Sequence, residues 1–240
     1  MPSSAFEAVE ALVRLCPPPA APTPPSATDW AAKEGELGFR LPDDYKRLCD
    51  AYGPGSFGDF IGIRHPLGAT DWMSLTGPMA TIVERQLEVD RAGGTLVPHD
   101  PRRLFAVGVT DNGQYLFWVT EPQDAPDRWR IVVHDARGPR WFSFDGGLVA
   151  FLAAVLGGRT RVPLFPDGLL DEGVCFTPSP ELRPGDEPRI VTVTGTARHG
   201  RTLSTDALRV WARANGYELP PRGRIPLRVR TAWERAHPEG

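Results

Sequence analysis

Residues 220–226 read PPRGRIP: Arg222 and Arg224 stand on either side of Gly223, bracketed by Pro220, Pro221 and Pro226. Two guanidinium groups held one residue apart on a lean backbone suit a narrow, negatively charged furrow. The minor groove of an A-tract is such a furrow, with enhanced negative potential that attracts inserted arginine. It is only about 6 Å wide, so a chain that enters it must be thin, and glycine between the arginines removes the Cβ that would strike the walls. A G·C pair places an amino group in the same groove and obstructs insertion. The prolines restrict the loop and lower the entropy lost on docking. Arg228 and Arg230 follow closely enough to reach flanking phosphates. On charge and shape the segment suits AT-rich double-stranded DNA, with Arg222, Gly223, Arg224, Arg228 and Arg230 as the candidate contacting residues, or, as simply, a solvated arginine-rich turn.

Other chemistry finds less support. GPGSFG, residues 53–58, matches G-x-G-x-x-G in letters. A dinucleotide fingerprint follows a strand and opens a helix. Here the pattern follows a helix and leads into a strand, so a glycine-rich turn is the better reading. The histidines at 65, 99, 134, 199 and 237 have no H-x-x-x-H spacing and no nearby cysteine, which argues against a metal site. No G-x-S-x-G elbow is present. Asp43 and Asp44 are adjacent, so on a helix they point about 100° apart, and they suit the positive end of a helix better than acid–base work. His134-Asp135 sits at a strand end. A binding protein rather than an enzyme is expected, with no catalytic residue, metal or cofactor.

Charge divides the chain. Residues 189–240 hold ten arginines against four carboxylates, net +6, while residues 1–188 carry −9, for −3 overall. An acidic body with a short basic tail points to a polyanionic partner for the tail. Only Lys33 and Lys46 are lysines, a bias that reflects GC-rich coding and explains part of the arginine abundance. Cys16, Cys49 and Cys175 are odd in number and far apart, which fits a reducing cytoplasm. No run approaches the roughly 18 apolar residues of a membrane helix, and the N-terminal stretch, with Glu7 and Glu10, does not read as a secretory signal.

These groups need elements to hold them. Ser4 and Glu7 have capping-box spacing ahead of Phe6, Val9, Leu12, Val13 and Cys16 at helical intervals, stopped by Pro17. A helix restarts near Asp29, breaks at Gly38, and resumes with Pro42 in its first turn, ending at Gly53. FIGIR is a short strand, and residues 78–92 are helical. LFAVGV and QYLFWVT flank Asp111-Asn112-Gly113, a hairpin signal. WRIVVHD and RWFSF pair around Arg137-Gly138-Pro139, and GLVAFLAAVL is a closing helix. This order gives an α+β domain. The predicted organisation is an N-terminal helix and proline-rich linker (1–27), an α+β domain (28–160), a proline-rich linker (161–199) with some packing of Leu164 and Phe165, and a small basic module (200–240). In the last, Ser204 caps a helix carrying Leu208, Trp211 and Ala212 that Gly216 stops. Pro226 starts a second helix with Val229, Trp233 and Ala236 inward.

Glu34, Leu37, Gly38, Leu41, Pro42 and Tyr45 spell E-x-x-L-G-x-x-L-P-x-x-Y, followed by Gly53, Gly55, Asp111, Gly113, Trp118, Trp129, Phe144 and Phe151-Leu152. Over residues 28–158 this order resembles the SUKH superfamily, which includes a yeast cell-wall synthesis regulator and bacterial toxin-immunity proteins. The resemblance implies a curved antiparallel sheet with flanking helices and a protein partner, a toxin or a regulator. The same residues read on their own suit fold maintenance. Acidic groups such as Asp59 and Asp71 suit a basic toxin or, as simply, solvated surface.

Residues 208–233, LRVWARANGYELPPRGRIPLRVRTAW, carry Trp211-Ala212, Asn215-Gly216-Tyr217, Arg222-Gly223-Arg224, Ile225-Pro226 and Trp233 in order. Over residues 200–237 this resembles the C-terminal DNA-binding domain of the actinobacterial Lsr-type nucleoid proteins, counterparts of H-NS. The resemblance implies an AT-hook-like R-G-R loop in the minor groove of AT-rich DNA and a nucleoid-associated, cytoplasmic location. Pro220-Pro221 replace the family's small or acidic residue. That family's oligomerisation segment is also replaced by the SUKH-like domain, so filament formation does not carry over. Two short helices around a loop also resemble a peripheral subunit-binding domain, without any lipoyl or acyltransferase signal. The alternative function is a toxin-immunity protein acting through the SUKH-like domain.

Overall fold

The computed structural model describes residues 5–19, 28–135, 138–171, 173–179 and 205–217, together with residues 229, 232, 233 and 236. The chain divides into two compact units, Met1–Arg183 and Pro184–Gly240. The described strands are β1 (Gly55–Phe57), β2 (Ile61–Ile63), β3 (Leu104–Thr110), β4 (Tyr115–Val119), β5 (Arg130–His134), β6 (Trp141–Phe144) and β7 (Phe176–Pro178). They form one antiparallel sheet in the order β6-β5-β4-β3-β2-β1-β7. The expected hairpin lies at its centre: Gly113, with φ 85°, closes the turn, and its N–H donates to the Thr110 carbonyl. The architecture is α+β, as the order of elements predicts.

Side chains alternate across the strands and give the sheet two covered faces. On one, Leu116, Trp118, Ile131 and Val133 meet α1 (Ala5–Leu15), α3 (Asp43–Tyr52) and α5 (Leu148–Leu156) in the larger core. On the other, Leu104, Ala106, Phe117, Val119 and Val132 meet Met79, Val83 and Leu87 of α4 (Met79–Ala92). The remaining helices are α2 (Trp30–Leu37), ahead of α3, and α6 (Thr205–Ala214) in the second unit. The N-terminal helix α1 docks on α5 and α3 through Ala8, Leu12 and Cys16. The Cys16 carbonyl accepts from the buried Tyr52 hydroxyl at 2.6 Å. Ser4 of the expected capping box lies outside the described residues.

The E-x-x-L-G-x-x-L-P-x-x-Y stretch is a structural joint. Gly38 ends α2 at φ 77°. Glu34 then reaches forward to accept from the Leu41 N–H at 2.9 Å and pairs with Lys46 at 2.5 Å. Burial alone raises the Glu34 carboxyl, but Lys46 and the Leu41 N–H outweigh it and hold it below its ordinary value. Leu41 and Tyr45 are fully buried, and the Tyr45 hydroxyl donates to the Arg64 carbonyl at 2.6 Å. Replacing Glu34 by alanine removes the acceptor and the ion pair together. It is expected to lower the free energy of unfolding by about 1–3 kcal/mol, with Glu34→Gln losing less because it keeps the acceptor, as read by urea unfolding.

Four expectations change. Pro42 is the N-cap of α3 rather than part of its first turn. Asp44 is buried, and its carboxylate accepts from the Val149 N–H of α5 at 3.2 Å, so it serves the N-terminus of a neighbouring helix. Its own helix is met by Asp127, which accepts from the Asp43 N–H at 2.7 Å. GPGSFG is not only a turn, because Gly55–Phe57 is β1 and lies beside β7. A Cβ on Gly55 would fall 2.5 Å from the Thr177 carbonyl oxygen of β7 and against the Phe176 ring, so the close approach of that backbone requires glycine. The fourth change concerns the proline-rich stretch read as a linker from residue 161. Leu164 and Phe165 pack in the larger core as expected, but Val162 joins them and Phe176–Pro178 completes the sheet.

Candidate nucleic-acid interface

The second unit is built on α6. Leu208 and Ala212, four residues apart on one face of that helix, bury against Val229, with Trp211, Tyr217 and Trp233 packed at the margin. Gly216, at φ 79°, lets the chain turn out of the helix, and the Trp211 carbonyl accepts from both the backbone and the side chain of Asn215. The turn carries Tyr217 back so that its ring stacks on Trp211, centroids 5.9 Å apart. The ordered series Trp211-Ala212, Asn215-Gly216-Tyr217 and Trp233 is thereby explained residue by residue as a small aromatic core with its turn. Residues 229, 232, 233 and 236 are helical, as expected after Pro226, but Ala236 is exposed rather than inward.

Arg222, Gly223, Arg224, Arg228 and Arg230 lie outside the described residues, as does Ser204. Tyr217 and Val229, which flank residues 218–228 in the sequence, both pack in the same small core. The exposed Arg213, in the last turn of α6, was not singled out by the sequence; its place beside the turn is visible only once the helix face is known.

In the first unit the groups weighed for chemistry have structural roles. His134 stacks on Trp141 with centroids 4.2 Å apart, and Asp135 pairs with Arg140 at 2.7 Å. His65 is buried: its Nδ1 accepts from the Leu67 N–H at 3.0 Å, and burial lowers its pKa to about 4. Asp59, at φ 47°, accepts from the Thr177 hydroxyl, whereas Asp71 is exposed. Among the described residues no cluster of histidine, cysteine and carboxylate groups is arranged to hold a metal, and no helix is long and apolar enough to cross a membrane.

Residues 24–152 match the SMI1 / KNR4 family (SUKH-1), and residues 201–236 match the Lsr2 DNA-binding domain. No curated protein and no solved structure matches the chain.

Proposed function

The chain belongs to the SMI1/KNR4 (SUKH-1) family and carries an Lsr2-type DNA-binding domain, and from that premise we propose a nucleoid-associated regulator that joins AT-rich DNA to a protein partner. The DNA-binding domain supports DNA binding. The finer reading is that Arg222 and Arg224 enter the minor groove of AT-rich tracts with Gly223 between them, while Arg228 and Arg230 hold flanking phosphates. The observation that carries it is the R-G-R segment inside the matched residues 201–236, bracketed by Tyr217 and Val229 in one core. The protein acts by binding, in the cytoplasm, without catalysis or a cofactor.

Fluorescence anisotropy of the full chain with AT-rich and GC-rich duplexes tests this. AT-rich DNA is expected to bind at least about tenfold more tightly, because the guanine amino group blocks the groove floor. With three or four phosphates neutralised, the log–log salt slope should be near −3. Equal affinity for the two duplexes would remove the minor-groove reading and leave only non-specific binding.

The longer match, over residues 24–152, favours a second reading in which the first unit neutralises a toxin. Rescue of toxin-expressing cells by a chain lacking residues 189–240 would support it and make the basic tail dispensable.

A further inference from the structure

Arg64 follows β2 and is fully buried, at 0% exposure. Its backbone extends the β2–β3 ladder: its N–H donates to the Val107 carbonyl at 2.8 Å, and its carbonyl accepts from the Tyr45 hydroxyl. The guanidinium is different. Nε, Nη1 and Nη2 are all buried, and none meets a hydrogen-bond acceptor. Among the described residues no other side chain has its whole charged group buried without a partner. An arginine sealed from water normally finds acceptors for its donors, and a cation buried without a counter-charge is among the costliest arrangements a fold can hold. Such a group points to a partner of opposite charge.

The neighbouring groups do not supply that charge. On the β2–β3 excursion, Asp100 is taken by Arg91 and Glu88 by Arg102, while Asp90 accepts from Gln86. Tyr115 and Tyr45 are the side chains whose charge bears on Arg64. Phenols are uncharged at neutral pH, and burial pushes the Tyr45 hydroxyl well above its ordinary value. His65, the next residue, is neutral too, since burial lowers its pKa to about 4. Burial also lowers Arg64, to about 10 and partly opposed by the two tyrosines, which leaves it protonated. The site therefore carries one positive charge.

Place and enclosure narrow the occupant further. Ile61 and Ile63 enter the larger core, while Gly62 between them faces Met73. Alternation carries Arg64 to the Gly62 side, where Tyr115 also packs. Half-buried Met73 is the roof there, an unbranched thioether that adapts to irregular space. The loop that holds it is pinned: the His65 N–H donates to the Met73 carbonyl at 2.8 Å, and the His65 carbonyl accepts from Leu75 at 3.0 Å. A protein or nucleic acid does not reach a side chain so enclosed, and a divalent oxyanion would leave surplus negative charge. Water meets the donors but not the charge. We propose that Arg64 is the centre of a buried anion site beneath the β2–β3 excursion, taking one small monovalent anion of the halide class. The anion ties that excursion to the sheet, so the fold responds to the identity of the salt and not only to its strength.

The inference is independent of the DNA and toxin readings. Thermal unfolding of the full chain, followed by circular dichroism in sodium chloride–sodium gluconate mixtures of one ionic strength, tests it. The wild-type Tm should rise with chloride, by about 2–4 °C once chloride exceeds its Kd about tenfold. Arg64→Met removes the charge and should lose that rise. Arg64→Lys keeps the charge with fewer donors and should need at least about threefold more chloride for the same rise. The chloride resonance in solution NMR reads binding without unfolding. Wild type should broaden it more than the Arg64→Met chain does, a difference that cancels any chloride held by the arginines of the tail. Where Arg64→Met does not fold, Arg64→Lys carries the comparison. A wild-type Tm that is the same in both salts, or variants that respond to chloride as wild type does, would overturn the proposal and leave water as the guanidinium's partner.

Discussion

Alanine at both Arg222 and Arg224 is expected to weaken binding to an AT-rich duplex by about a hundredfold or more, the loss of two groove-inserted guanidinium groups. The salt slope should also become shallower by about two, one for each cation withdrawn from the polyanion. Lysine at both positions separates charge from shape. It keeps the slope but has no planar fork, so preference for AT over GC should shrink while overall affinity falls less than with alanine. Anisotropy titrations at several salt concentrations measure all three effects. Unaltered affinity in the double-alanine chain would mean that the arginine segment is a solvated turn.

The second large effect lies in acid stability. His65 is only 3% exposed, and burial lowers its pKa from 6.5 to about 4, partly opposed by the Cys49 carbonyl. The folded chain keeps the ring neutral, whereas the unfolded chain takes up a proton below its ordinary value. The stabilising contribution is therefore complete above pH 6.5 and is lost as pH falls through about 4. In full it amounts to about 3 kcal/mol. His99 and His134 are also lowered by burial and steepen the same window. His65→Asn keeps an acceptor for the Leu67 N–H and removes the titration. It should flatten urea-unfolding free energies between these pH values more than it changes any lower region. Glu34 acts at lower pH: its folded value lies below the ordinary one, so its contribution is present above that ordinary value and fades beneath it. An unchanged pH slope in His65→Asn would show that its protonation is not coupled to unfolding.

Local signals made part of this legible. The turn at Asp111-Asn112-Gly113, the alternating strands beside it and the apolar run of α5 each announce themselves within a few residues. So does α6, whose stop at Gly216 is written in the sequence. The elements that escaped are three-residue strands paired across great separation. Gly55 meets Pro178 in the β1–β7 ladder, and neither strand is long enough to show a period. The proline count around residues 161–180 suggests a linker because prolines favour extended chain; packing of Leu164 and Phe165 is legible there, but not that Val162 and Phe176 have apolar partners elsewhere. Asp44 shows the same limit. Its place in the first turn of α3 was readable, but its bond to Val149, 105 residues on, belongs to tertiary structure. The arginine segment is read from residue types and spacing alone, and its residues lie outside the described ones.

The late return of β7 also sets where this polypeptide can be severed. Phe176 lies about 5 Å from both Tyr52 and Phe57, and its strand covers β1. A cut at Gly158, just after the run of helices and hairpins ends with α5, would strip that cover and bare a row of unpaired amides and carbonyls beside two aromatic rings. Such a fragment would be prone to clump through its naked rim, while one extending past Ser179 would keep it sealed.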